Sequence, residues 1–199
     1  LGLRFAFLIG LPCSIGMSLL AKPIMAFFYA ETLSAEHLQI ASELLTVSSL
    51  TVVLFTVVQA TSSILQGLHK QRIPMYTLVA GVFCKITLNY LLVGTPGVNI
   101  YGGPIASIVC YSVSMIPNLY YVCKYGHMPF NWMGWVVRPG LATAVMGGAV
   151  YLARAFLPAG RVWTLIEIAL GVVVYLGAAL LFKALTADDL RSLKHKRKA

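Results

Sequence analysis

The sequence predicts an all-α membrane protein, a polytopic bundle of about six transmembrane helices. Hydrophobic residues make up 59% of the 199 residues and charged residues only 11%, whereas an average soluble domain has about 25% charged residues. The mean hydropathy is +0.82. Several apolar runs approach the roughly 20 residues that a helix needs to cross a hydrocarbon core about 30 Å thick. The predicted spans are 5–29, 44–65, 75–93, 104–123, 135–156 and 162–182.

The limits of the spans follow from helix-breaking and interfacial residues. Gly, Pro and charged residues separate the runs, as is typical of helix ends. The first span contains Lys22-Pro23, and we expect a kink there. The turn-rich segment 94–104 connects the third and fourth spans, and Trp and Tyr residues lie near several span ends, where aromatic belts form.

The positive charges predict the orientation of the bundle. Eleven of the fifteen Lys and Arg residues fall on one predicted side, which the positive-inside rule assigns to the cytoplasm. Both ends of the chain are therefore expected in the cytoplasm, and the acidic segment 31–43 outside. The net charge of +9 thus reflects topology and not nucleic-acid binding. The basic tail, 184–199, is expected to lie on anionic headgroups, with a specific partner site as the alternative.

Polar residues lie on one face of each of the first four spans, at steps of three, four or seven. The stripes are Gly10, Ser14 and Ser18; Ser49, Thr56, Gln59, Ser63 and Gln66; Thr77, Gly81, Lys85 and Asn89; and Ser107, Tyr111, Ser114, Asn118 and Tyr121. The last two spans carry small residues instead, which favour close helix packing. We therefore expect a four-span core in residues 1–125 that lines a cavity, two accessory spans in 126–183 and the tail.

Lys85 is the strongest candidate for a functional residue. A lysine at the centre of a membrane helix costs roughly 2.5–3.5 kcal/mol and usually faces a bundle interior or a water-filled cavity. Asn89 follows one turn later on the same face. This pair predicts a polar or anionic cargo, although Lys85 would also serve to neutralise a carboxylate elsewhere.

Further polar residues extend the candidate site. Asn89, Gln59, Gln66 and Asn118 are candidates for substrate binding or coupling, and interhelical hydrogen bonding is their alternative role. At the inner surface, Lys70, Arg72 and Arg138 are candidates for phosphate or headgroup contact, with topology determination as the alternative.

Catalysis is not expected from this sequence. HExxH, GxSxG and P-loop motifs are absent, and only six carboxylates are present for acid–base chemistry. The four cysteines and four histidines have no metal-ligand spacing, so neither a metal nor a cofactor is predicted. We expect the cysteines to be small packing residues.

A family resemblance covers most of the chain, from Leu11 to about Leu193, and is most specific in the segment 66–111. Its ordered features are Gln-Gly-Leu-His-Lys-Gln-Arg-Ile-Pro at 66–74, Lys85 with Leu88-Asn89-Tyr90, Gly94-x-Pro-Gly-x-Asn-Ile-Tyr-Gly102, and Ser107-x-x-Cys110-Tyr111. These residues resemble stage V sporulation protein B and related polysaccharide-biosynthesis membrane proteins of the MOP flippase superfamily, which are similar to the lipid II flippases.

The resemblance implies a two-lobed, MATE-like transporter of which this chain is the C-terminal part, in agreement with its start at Leu1. Such proteins move an undecaprenyl-pyrophosphate-linked sugar across the cytoplasmic membrane by alternating access, in contact with membrane lipids. The N-terminal lobe of the same polypeptide would complete the cavity. In relatives the helix matching the third span can hold sodium, and Lys85 here would replace that ion or pair with the diphosphate. A multidrug or organic-cation exporter and a scaffold of cell-wall or spore-envelope assembly are the alternatives.

Overall fold

The computed structural model describes residues 2–29, 31–95, 97–126, 133–156 and 161–182, and all regular structure in these ranges is helical. The helices are α1 (Gly2–Leu19), α2 (Ala21–Tyr29), α3 (Ala35–Gly67), α4 (Arg72–Val93), α5 (Gly102–Gly126), α6 (Arg138–Phe156) and α7 (Arg161–Leu181). A 3₁₀ turn, Asn99–Tyr101, precedes α5, and a π-helical turn, Met133–Val137, precedes α6. The predicted tail, 184–199, lies outside the described residues.

Six helical segments in the described part are long and apolar enough to cross a membrane. They are Gly2–Leu19, Ala35–Gly67, Arg72–Val93, Asn99–Gly126, Met133–Phe156 and Trp163–Leu181. The predicted number of spans and the all-α class are confirmed. The chain is therefore a multi-pass integral membrane protein.

The first predicted span is divided into α1 and α2, and the interruption at Leu20 lies close to the kink expected at Lys22-Pro23. Proline has no backbone N–H and cannot bond the carbonyl four residues earlier, which weakens the helix at that turn. The second span starts nine residues before its predicted limit, because Ser34 caps α3 and accepts a hydrogen bond from the His37 backbone N–H at 3.5 Å. The apolar pattern begins only after this polar first part of α3.

The helices pack in a row, and α4 lies at one edge of it. α4 packs on α5, α5 on α3, α3 on α1, α1 on α6 and α6 on α7. A buried hydrophobic cluster lies where α1, α6 and α7 meet and includes Leu8, Met146, Val150 and Tyr175. The buried residues of α5 recur at every fourth position: Gly102, Ala106, Cys110, Ser114, Asn118 and Val122.

Charge is segregated between the two ends of the bundle. Arg4, Lys70, Arg72, Lys124 and Arg138 lie together at the end where α1, α4 and α6 begin, which we call the basic end. The opposite, acidic end holds all four described carboxylates, Glu31, Glu36, Glu43 and Glu167, together with Lys22 and Arg154. Among the described residues, the basic end therefore carries five cations and no carboxylate.

Candidate functional site

Lys85 lies near the middle of α4, about 20 Å along the helix from Arg72 at the rise of an α-helix. Its side chain is half-buried. Among the described residues it makes no hydrogen bond or ion pair, and its ammonium lies within electrostatic reach of the Cys110 thiol on α5. The sequence prediction of a cation deep in a span thus corresponds to an ammonium that this part of the chain leaves unpaired.

Asn89 lies one turn further along α4 and presents a second unmatched polar group. Its Oδ1 is buried and has no hydrogen-bond partner among the described residues. Most buried acceptors in proteins are satisfied, so each exception needs an explanation. A lysine ammonium carries three donors and no acceptor, and side chains four residues apart lie on the same helix face. Lys85 and Asn89 therefore place unused donors beside an unused acceptor.

The other half of the α4 stripe is packed against α5. The Thr77 hydroxyl donates to Asn118 Oδ1 at 2.8 Å, and the Ser114 hydroxyl donates to the Thr77 carbonyl at 3.0 Å. At Gly81 the helices are so close that an added Cβ would lie 2.5 Å from Ser114 Oγ and 2.7 Å from the Cys110 carbonyl oxygen. The stripe is thus divided into a tightly packed half at Thr77 and Gly81 and an unsatisfied half at Lys85 and Asn89.

Asn118 lies within the helix packing. Its side chain is 0% exposed, accepts from Thr77, and its Nδ2 donates to Ser62 Oγ of α3 at 3.4 Å. This amide joins α3, α4 and α5 through one residue. The structure therefore gives Asn118 the environment of an interhelical hydrogen bond.

Gln59 and Gln66 are exposed on α3, and α5 separates most of α3 from α4. Phe55, one turn from Gln59, is 44% exposed and meets Tyr111 of α5 edge to face at 5.5 Å. Gln66 lies one residue before the end of α3, close to the basic end. The structure thus brings Lys85 and Asn89 together, while the two glutamines lie on a different helix.

The basic end combines cations with tyrosines. Lys70 Nζ lies 5.1 Å from the centre of the Tyr125 ring, and Lys124 Nζ lies 6.0 Å from both the Tyr120 and the Tyr125 rings. Tyr121 and Tyr125 are stacked with ring centres 5.9 Å apart. Lys124 and these rings were not among the predicted site residues, although their spacing of one helical turn in α5 is visible in the sequence.

Arg72 and Arg138 are exposed at the first residues of α4 and α6. They extend the positive surface of the basic end but are not part of the contacts between lysine and tyrosine. In the described ranges no group of three or more His, Cys, Asp or Glu side chains is arranged to hold a metal ion. The polar groups available to a ligand are therefore ammonium, guanidinium, amide and hydroxyl groups.

A bundle of six membrane-crossing helices with unmatched polar groups inside one of them defines the class, a polytopic α-helical membrane protein. The family model "Lipid II flippase MurJ" matches residues 1–172. The chain is similar to lipid II flippase MurJ of Bacillus subtilis (strain 168), with 29% identity over 147 residues, which cover 72% of this chain and 26% of that protein. Its fold matches lipid II flippase MurJ in an inward closed conformation with a TM-score of 0.72 at 20% identity, over 90% of this chain and 37% of that chain.

The chain belongs to the lipid II flippase MurJ family, and thereby to the MOP flippase superfamily. It spans about a quarter of the length of its curated relative. The resemblance predicted from residues 66–111 is confirmed at the level of the superfamily and of the similarity to lipid II flippases.

Proposed function

We propose that this chain is the C-terminal part of a flippase that moves a lipid-linked oligosaccharide or peptidoglycan precursor across the bacterial cytoplasmic membrane. The membership of the family supports this proposal. The observation that carries it is the unmatched pair on α4: an unpaired Lys85 ammonium beside a buried, unpartnered Asn89 oxygen. A chain with only a structural use for these groups would be expected to satisfy them.

Lys85 is proposed to face water shared with the N-terminal lobe of the same polypeptide. Attraction between its ammonium and an anionic diphosphate would be several-fold stronger there than in bulk water, because the effective dielectric constant is lower. Asn89 Oδ1 would accept a hydrogen bond from a sugar hydroxyl or from Lys85 itself between transport events. In the second version of the proposal, the fixed ammonium takes the place of a coupling cation.

The four-span core and the accessory hairpin, formed by α6 and α7, are proposed to have different roles. The cavity wall would be formed by α1, α3, α4 and α5, which with α2 make up residues 1–125. Gln59 and Gln66 on α3 would contribute hydrogen bonds to this wall. α6 and α7 in residues 126–183 would support this core. Asn118 would position α4 by its bonds to Thr77 and Ser62. Alternating exposure would come from rocking of this lobe against the other.

The basic end is proposed to face the cytoplasm, since positive charge is retained on that side. Lys70, Arg72 and Arg138 would contact the diphosphate of an arriving cargo or anionic headgroups. We also propose that the protein transports without catalysing a covalent reaction.

An organic-cation exporter is less compatible with this lobe. Lys85 would repel a cation, and the described carboxylates all lie at the acidic end, away from Lys85.

The test is reconstitution of the complete polypeptide in liposomes with a labelled lipid-linked precursor or a labelled organic cation. Sodium and proton gradients are varied independently. Flux of the precursor alone is the expected result, flux of the cation alone would favour the exporter, and no flux of either would favour a scaffold.

A further inference from the structure

Two prolines interrupt the backbone hydrogen bonding of the first span. Pro12 lies inside α1 and Pro23 lies in the first turn of α2. Each lacks a backbone N–H, so the carbonyl four residues earlier loses its helical partner. The two affected carbonyls belong to Leu8 and Leu19.

Both carbonyls are hydrogen-bonded by side chains of the accessory hairpin, α6 and α7. Tyr175 of α7 donates its hydroxyl to the Leu8 carbonyl. Arg154 of α6 donates from Nη1 to the Leu19 carbonyl at 2.8 Å. The donors lie more than 130 positions further along the chain, and each reaches the carbonyl that a proline has freed.

The packing around these bonds holds the hairpin against the kinked first span, α1 and α2. Tyr175 is 7% exposed and belongs to the buried cluster that also contains Leu8. Gly147 of α6 lies against Leu19 and Ile15, where an added Cβ would be 3.4 Å and 3.6 Å from their side chains. The Tyr175 bond is therefore buried within this contact, and the Arg154 bond lies at its exposed end.

We propose that Arg154 and Tyr175 are positioning residues: they fasten the accessory hairpin to the two proline sites of α1 and α2, so that hairpin and first span move as one body. The buried Leu8 carbonyl in particular needs a replacement donor, because the interior of a membrane provides none. Because α6 and α7 supply these donors, the kinked conformation of the first span, α1 and α2, depends on their contact. This inference does not depend on the nature of the cargo.

The pairing of donor with proline allows a direct test by double mutation. Tyr175→Phe removes the donor, whereas Pro12→Ala restores a backbone N–H that can bond the Leu8 carbonyl. In the complete polypeptide in detergent, we expect Tyr175→Phe to lower Tm by several degrees in the Pro12 background and to have little effect in the Pro12→Ala background. Arg154→Met and Pro23→Ala form the second pair, with the same expectation.

The crossed pairs are the matched controls. Pro23→Ala should not suppress the effect of Tyr175→Phe, and Pro12→Ala should not suppress that of Arg154→Met. Equal losses of Tm in both proline backgrounds, or no loss in either, would overturn the proposal. If a single donor variant does not fold, recovery of folded protein by its own proline partner supports the proposal, and recovery by neither or by both proline variants contradicts it.

A distance measurement separates positioning from simple stabilisation. Spin labels at Phe28 of α2 and Leu165 of α7, which are 68% and 55% exposed, report the separation of hairpin and bent span. We expect one narrow distance distribution in intact protein and a broader one in Arg154→Met. The distribution should stay broad when Pro23→Ala is added, because the restored backbone N–H satisfies the Leu19 carbonyl without joining it to α6. A distribution that Arg154→Met leaves unchanged would show that the guanidinium does not hold these elements together.

Discussion

Replacing Lys85 by methionine distinguishes an ammonium that acts on cargo from one that holds the fold together. Methionine keeps a long unbranched side chain and removes the charge. Because Lys85 is half-buried and unpaired among the described residues, the substitution relieves at most the roughly 2.5–3.5 kcal/mol that a lysine costs at the membrane centre, and less where water reaches it. We therefore expect the Tm of Lys85→Met to stay level or to rise.

Transport should respond in the opposite direction. A hydrogen bond to a charged group contributes about 1.5–3 kcal/mol, and each 1.36 kcal/mol is a factor of ten in rate. If the ammonium stabilises the diphosphate during translocation, the flux in Lys85→Met should fall by about 10- to 150-fold. Loss of flux without loss of stability is the result expected of a residue that works on cargo.

The assay is flipping of a labelled lipid-linked precursor by the complete polypeptide in liposomes, together with thermal unfolding of the same preparations. Lys22→Met is the matched control, because it removes an exposed lysine at the acidic end. Unchanged flux in Lys85→Met would remove this residue from the mechanism. A drop in stability of about 3–5 kcal/mol would show instead that Lys85 neutralises a buried carboxylate elsewhere in the polypeptide.

Three further predictions concern the α4 face. Asn89→Leu should raise the free energy of unfolding by about 1 kcal/mol, because it removes a buried acceptor without a partner; a lower free energy in thermal or denaturant unfolding would contradict this. Gly81→Ala should destabilise by about 1–3 kcal/mol, because its Cβ would lie 2.7 Å from the Cys110 carbonyl oxygen. Gly148→Ala, where nothing lies within 4 Å, should be neutral in the same measurement. Asn118→Leu should cost about 0.6 kcal/mol or more, since it removes interhelical hydrogen bonds, and an unchanged Tm would show that these bonds are not stabilising.

The spans and the polar faces were predictable because both depend on local periodicity. A run of about 20 apolar residues and a step of four along α4 need no knowledge of other helices. The packed and unsatisfied halves of the α4 stripe were not predictable in the same way. Thr77 and Gly81 differ from Lys85 and Asn89 because Ser114 and Cys110 of α5 pack directly against Gly81, and the sequence of α4 does not contain that contact.

Long-range partners account for the other residues that the sequence did not reveal. Pro23 predicted a kink, yet the donor to the freed Leu19 carbonyl is Arg154, which sequence reasoning used only as a topology marker. Lys124 was likewise counted only as a positive charge, whereas the structure places it beside Tyr120 and Tyr125. In each case the missing information is which helices become neighbours.

The length of α3 has a consequence for the acidic end of the bundle. Its 33 residues correspond to about 50 Å of helix, whereas the hydrocarbon core is about 30 Å thick. Fitting the whole helix inside that core would need a tilt of about 53°, which exceeds the range of roughly 0–40° found for membrane helices. At a typical tilt of about 20°, roughly 11 residues must therefore emerge from the core. The first turns of α3, from Glu36 to Glu43, form a helical segment that projects beyond the core. Tyr101 contacts this segment through its hydrogen bond to Glu43. With the acidic end outside, as we propose from the positive-inside rule, impermeant reagents applied to intact cells should modify cysteines introduced along this segment.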